Sequence, residues 1–350
     1  MATSTTQGQV ASLKTKESIQ GKSLWRDSME RLAKNKLAIL GLLIIVLAIL
    51  MAVFAPVIAP QDPTDQSLLK TSSAPQWVIN LFPVMKEKGI EGGYVKLVEA
   101  SEYPLGTDPL GRDIMSRIIF GARVSLAVAF VGPLTATIIG LTLGLISGYF
   151  GGWIDSLIMR IVDVFYAFPS LLIIILMMAY FRSGAFSAPE AANTIGGVLY
   201  QADRSFGGML FIFIGIGITS WIGLARLTRG QVLSVRENEY VLSAKALGAS
   251  NRQIIIRHIL PNIMGPLIVA ETLTIPAYIR TEAFLSFIGL GVNPPTPSWG
   301  EMISTGSQYI GSYPYQAIFP AVALFIVMFA FNFLGDGLRD AFDPRLRGVD

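Results

Sequence analysis

Long apolar runs separated by polar stretches dominate the chain. Leu37 to Ala59, Val124 to Phe150 and Phe206 to Ala225 contain no charged residue, and Val164 to Phe181 and Ile318 to Leu334 are shorter but equally free of charge. A sixth run, Ile263 to Ile279, carries Glu271 and leads directly into Arg280 and Glu282. A bilayer core about 30 Å thick is crossed by about 20 apolar residues in helical form, so the pattern predicts an all-α membrane protein with six transmembrane helices. The chain then divides into an N-terminal segment 1–36, a first span 37–59, an external excursion 60–123, a core 124–338 holding five more spans and a loop 226–262, and a tail 339–350.

Six spans place both termini on one side, and the distribution of Lys and Arg selects which side. The segments on the side of the termini hold 17 basic residues and the opposite side ten, seven of them in the long 60–123 segment. Long segments translocate largely regardless of charge, and basic residues stay inside; both termini are expected in the cytoplasm. Before the first span, Trp25, Met29 and Leu32 recur at helical spacing among Arg26, Arg31 and Lys34, with Ser23 placed to cap them. This predicts a short amphipathic helix on the inner membrane surface. Pro60 to Tyr103 is rich in turn formers and reads as an excursion rather than a separate domain. In the second span Gly140, Gly144 and Gly148 align on one helix face, where missing side chains let another helix approach closely.

Composition narrows the chemistry. The 350 residues are 52% hydrophobic and 15% charged, with mean hydropathy +0.55, no cysteine and one histidine. This excludes disulfides, thiol nucleophiles and thiolate metal sites, and leaves no metal site or catalytic set to assign. The net charge of +3 sits beside the spans, where it orients them, and does not point to nucleic acid. Gly21, Lys22 and Ser23 do not complete a phosphate-binding loop, because position 16 is Lys16. No HExxH, G-x-S-x-G or intramembrane aspartate pair is present, so the chain is not read as an enzyme.

The 226–262 loop is too long for a simple connection between two spans. Glu239 to Leu247 is composed of helix formers, Gly248 is placed to end that helix, and Asn251 to Leu260 forms a second stretch that Pro261 is expected to stop. The segment EYVLSAKALGASNRQIIIRHILPN, Glu239 to Asn262, resembles the EAA loop of bacterial ABC-importer permeases, with Leu242, Ser243 and Ala244 where a Glu-Ala-Ala triplet is expected. Four further segments resemble the C-type subunit of the dipeptide, oligopeptide and nickel permeases: Pro104 to Leu126, Gly148 to Leu172, Leu285 to Ile303 and Phe331 to Arg347.

The resemblance implies a type I ABC-importer permease fold in a bacterial or archaeal inner membrane. It also implies a homologous B-type permease partner, two ATP-binding subunits that hold ATP and Mg, and an extracytoplasmic substrate-binding protein. This chain itself would hold no cofactor. Glu239, Tyr240, Ser243, Ala244, Lys245, Gly248, Ala249 and Pro261 would form the coupling segment that docks on an ATPase subunit. Small Ser243 and Ala244 suit close docking, Lys245 suits acidic partners, and Gly248 suits the turn. Peptides are the implied substrate; nickel or another small solute is the alternative within the family.

Ionisable groups inside a span are costly and invite a functional reading. Eleven residues separate Glu271 from Glu282, which returns to nearly the same helix face, with Arg280 almost opposite. The three are candidates for a translocation path, and equally for a structural ion pair or a span that ends early. They would also serve a secondary transporter, although no inverted repeat is visible. Arg160 and Asp163 are expected to pair with each other at the start of the third span.

Overall fold

The structure, a computed structural model, describes residues 24–85, 96–183, 186 and 193–343. The Ser23 cap and the parts of the terminal segments at 1–23 and 344–350 lie outside the described residues. Chain order begins with α1 (Leu24–Lys34), α2 (Lys36–Val53), α3 (Gln76–Leu81) and α4 (Ile114–Phe150). There follow α5 (Gly152–Ala167), α6 (Ser170–Phe181), α7 (Ile195–Ser205), α8 (Leu210–Arg236) and α9 (Glu239–Ala246). The last are α10 (Asn251–Phe287), α11 (Trp299–Ser307) and α12 (Tyr315–Phe342). Among these, α2, α4, α8, α10 and α12 are each long and apolar enough to cross a membrane.

The sixth candidate span is not one straight helix. α5 and α6 pass the same test only as a pair and meet at 75°, where a single run Val164 to Phe181 was expected. The cause is local: Pro169 supplies no N–H to a helix, and the residue before it, Phe168, is held extended at φ −90°, ψ 136°. α10 departs in the opposite direction. Pro261 does not stop it, because a π-helical turn at Ile255–Ile259 re-sets the register and leaves Pro261 in the first turn of Leu260–Phe287, where no backbone N–H is needed. α8 likewise runs to Arg236, so most of the 226–262 segment is helix projecting from two spans, and only α9 and its two short links lie between them.

α4 begins at Ile114 rather than Val124. Asp113 caps it, accepting from the Ser116 amide at 2.7 Å, and its first turns are buried against the excursion. That excursion is tied to the bundle. The Tyr315 hydroxyl donates to the Ser73 carbonyl at 3.1 Å and to the Thr107 carbonyl at 2.8 Å. Gln316 donates to the Thr107 carbonyl at 3.1 Å, and Arg117, 2% exposed, pairs with Glu301 at 2.7 Å. Trp299, fully buried, donates from Nε1 to the Ile118 carbonyl at 2.9 Å. Arg123 caps the end of α2 by donating to the Ala52 carbonyl at 2.7 Å.

The glycine stripe of α4 lies flush on α8. A Cβ at Gly140 would sit 2.7 Å from the Trp221 carbonyl oxygen, and one at Gly144 would sit 2.5 Å from Thr228 Cβ. At Gly148 it would sit 2.8 Å from Val232 Cβ, so three missing side chains set the spacing of the two spans. α1 packs against the end of α12, with the Trp25 and Phe342 rings edge to face at 5.3 Å and Leu32 beside Gly337. Its apolar stripe is thus shared between α12 and the surroundings, rather than spent wholly on a membrane surface.

Candidate functional site

α9 is built to stand away from the bundle on one fixed point. Of its residues only Val241 is buried, in an apolar cluster with Val232, Ile254, Ile259 and Ile263. The helix ends in a Schellman arrangement: the Ala249 amide donates to the Ala244 carbonyl at 3.1 Å and the Gly248 amide to the Lys245 carbonyl at 3.0 Å. Gly248 sits at φ +83°, with nothing within 4 Å of where a side chain would start. Such a backbone strongly favours glycine. Ser250 then caps the next helix through the Gln253 amide at 3.3 Å, and the Tyr149 hydroxyl holds Asn251 at 2.8 Å.

The candidate coupling residues fall into two groups. Glu239, Tyr240, Ser243, Lys245 and Gly248 are exposed, whereas Ala244 and Ala249 are half-buried, Ala249 against the apolar cluster. Pro261 is exposed but belongs to α10, one π-helical turn removed. Alongside them the structure leaves Tyr240 43%, Leu242 49% and Leu247 89% exposed. Leu242 was absent from the candidate set, and so was Leu247; their signal, apolar side chains on a charged, solvent-side loop, is visible only once the helix is seen to stand free. A cleft of about 390 Å³ opens beneath α9, lined by Tyr149, Arg236, Val241, Lys245 and Asn251 among others.

The three ionisable residues of α10 do not form one site. Glu271 faces a groove of about 150 Å³ between α4, α8 and α10, with Pro133, Thr137 and Leu224 opposite, and accepts from the Tyr278 hydroxyl at 3.4 Å. Glu282 is completely buried; its carboxyl meets the hydroxyls of Ser125 at 3.2 Å and Ser286 at 2.8 Å. Both carboxyls face α4, in keeping with their helical spacing, while Arg280 is exposed. Arg160 and Asp163 do not pair as expected: Asp163 accepts from Arg226 at 2.6 Å, because α8 passes closer to it than its own helical neighbour. Among the described residues no cluster of His, Asp and Glu able to hold a metal occurs.

The sequence model of the binding-protein-dependent transport system inner membrane component family matches residues 140–348, and that of the N-terminal transmembrane domain of oligopeptide transport permease C matches residues 23–75. The oligopeptide transport system permease protein OppC of Bacillus subtilis (strain 168) is 41% identical over 325 residues, covering 93% of this chain and 91% of that protein. The dipeptide transport system permease protein DppC of Alkalihalophilus pseudofirmus is 40% identical over 325 residues, with the same coverage. A chain from inward-facing crystals of the MetNI methionine ABC transporter aligns over 65% of this chain and 97% of its own length, at 22% identity and a TM-score of 0.48. A matched domain of more than half the chain, together with relatives alike over nearly all of it, makes this a multi-pass inner-membrane protein that belongs to the binding-protein-dependent transport system inner membrane components, the permease subunits of ABC importers, which work with ATPases and a binding protein.

Proposed function

We propose that the chain is one membrane-spanning half of a peptide importer, with α9 as the coupling helix that sits in a groove of a separate ATPase subunit. The observation that carries this reading is the free-standing α9, which presents Tyr240, Leu242 and Leu247 to solvent from a loop rather than from a span. Exposed apolar groups gathered on a projecting helix are expected at a protein contact. Glu239, Ser243, Lys245 and Gly248 share that presentation, with Ala244, Ala249 and Pro261 shaping its base.

The likeness to oligopeptide and dipeptide permease C proteins supports peptides as substrate and a homologous B-type permease as the other half. Two ATP-binding subunits would bind ATP and Mg and perform the hydrolysis, and an extracytoplasmic binding protein would deliver the substrate. The excess of basic residues on the loop side supports cytoplasmic termini. ATPase closure then moves α9, and through it the spans, as rigid bodies in alternating access. Glu271, facing the mid-span groove, is the better path residue; Glu282 serves packing, and exposed Arg280 is placed to meet the other half or water rather than lipid.

The test is purification of the tagged chain in mild detergent, followed by reconstitution and uptake of labelled peptides or nickel with and without ATP. Recovery of a second permease and two ATPases, with ATP-dependent peptide uptake, is expected. A chain that transports without an ATPase would make it a secondary transporter instead.

A further inference from the structure

A loop that moves with an ATPase must pass its displacement to spans that it does not join. α9 is covalently continuous with α8 and α10, but α5 and α6, the two halves of the broken span, have no such link. The contacts at the base of α5 supply one. Arg229 of α8 reaches across with both ends of its guanidinium: Nε lies 2.6 Å from Asp155 Oδ1 and Nη2 lies 2.6 Å from Oδ2. Ser147 of α4 donates its hydroxyl to the same carboxylate. Two helical turns further along α8, Arg236 donates from Nη1 to the Gly148 carbonyl at 2.7 Å and pairs with Glu237 at 3.0 Å, directly before α9.

These contacts grip one elbow. Gly151 and Gly152, at φ +66° and +56°, turn the chain from α4 into α5, and the two arginines hold the elbow from either side. A bidentate arginine–carboxylate pair fixes orientation as well as distance. Further along, α5 also packs on α8 through Val162, Phe165 and Trp221. The Asp155 and Arg229 side chains are 17% and 35% exposed, while the second ion pair between the same helices, Asp163–Arg226, is 66% and 38% exposed and makes one 2.6 Å hydrogen bond, with the guanidinium over the Tyr166 ring. Pairs of the second kind contribute little. Beyond the elbow, α5 ends at the Phe168–Pro169 break, and α6 packs on α8 through Ile174, Met178 and the stacked Phe181 and Phe211 rings, 4.9 Å apart.

We propose that Asp155 and Arg229 are positioning residues that fasten the base of the third span to α8, so that displacement of the coupling loop is delivered to α5 as part of one rigid body and taken up at the Phe168–Pro169 bend. The proposal rests on the coupling reading of α9. Neither residue touches substrate or nucleotide; both act through the helix they hold.

The chain contains no cysteine, so Ser156→Cys and Gln253→Cys place two spin labels, one on α5 and one beside the loop, with no background from this chain, and cysteine-free partner subunits are used in the complex. Both positions are exposed. In the reconstituted full complex the label separation is expected to stay the same with and without ATP. With Arg229→Gln added, it changes between the two states, and peptide transported per ATP hydrolysed falls about two- to thirtyfold, the range for residues that couple distant sites. Arg229→Lys, which keeps the charge, recovers most of that ratio, and Asp163→Asn leaves it as it was. A merely structural role would lower uptake and hydrolysis together and leave their ratio intact.

Should Arg229→Gln fail to assemble, Asp155→Asn, which keeps the side-chain size, is read in its place. A label separation that already changes in the unaltered complex would overturn the clamp, as would a wild-type transport ratio in the Gln variant or a Lys variant no better than Gln. ATP-independent uptake by the unaltered complex would instead overturn the importer reading itself.

Discussion

Gly248→Asp tests the proposed docking of the turn after α9 separately from the role of that turn in folding. At φ +83°, any side chain carries a backbone cost of about 1–2 kcal/mol. There is no steric cost in this chain, because nothing lies within 4 Å of the added Cβ. Asn and Asp both enter the left-handed region more readily than other residues, so Gly248→Asn and Gly248→Asp share nearly the same backbone term and differ by one charge. In the free chain that charge is solvated and nearly neutral in effect. If the turn is enclosed by an ATPase groove, an uncompensated charge there costs about 3–5 kcal/mol, which is a loss of more than about 100-fold in an equilibrium. The assay is peptide uptake per ATP hydrolysed in the reconstituted complex, with membrane insertion checked separately. Gly248→Asn is expected to lower the ratio about fivefold and Gly248→Asp about 100-fold or more, with both inserted normally. Normal coupled uptake by the Asp variant, or equal losses from Asn and Asp, would refute the reasoning.

Three further outcomes follow from packing and burial. Gly144→Ala places a methyl 2.5 Å from Thr228 Cβ and 2.6 Å from the Ala225 carbonyl oxygen, and is expected to destabilise the α4–α8 contact by about 1–3 kcal/mol, read as a lower thermal midpoint in detergent. Trp299→Phe keeps most of the buried ring and removes the 2.9 Å bond to the Ile118 carbonyl, which stays bonded within its own helix, a loss of about 0.5–1.5 kcal/mol, whereas Trp299→Ala should cost about 3–5 kcal/mol; the same melting assay ranks them. Burial raises the Asp113 carboxyl above its usual value, against the opposing bonds from Ser116. A carboxyl raised in the fold favours the folded state most when protonated, so its contribution is complete below the ordinary carboxylate range and is lost as pH rises through the raised value. Asp113→Asn should flatten that part of the stability–pH profile, and an unchanged profile would count against it.

Much of the fold is legible in the chain because the requirement behind it is local. A segment in lipid must bond its own backbone, so an uninterrupted apolar run is enough to place a helix. The same holds for the Gly248 turn, where a glycine after a run of helix formers marks the end of α9. Gly140, Gly144 and Gly148 announce a close contact by spacing alone, although they do not name α8 as the partner. The misread places had local signals that competed with others. Pro169 inside a charge-free run breaks the third span, while Pro261 after a polar helix does not end α10, because the π-helical turn before it removes the clash.

Charge pairing is where local reasoning fails. Arg160 and Asp163 are helical neighbours, yet Asp163 finds Arg226 and Asp155 finds Arg229, because the distance that counts is set by how α5 lies on α8. Glu271 and Glu282 share a helix face by arithmetic, but only the packing of α4 leaves one beside a groove and encloses the other among serines. The excursion after the first span looks like a loop in sequence; its order comes from Tyr315 and Gln316, more than two hundred residues away along the chain. Residues close together along the chain are enough to place the long apolar helices, the helical segment that becomes α9 and the family, since each of these depends on local pattern. Tertiary structure alone decided which helix each glycine and each charge meets, because those contacts depend on the mutual placement of helices that no local pattern encodes.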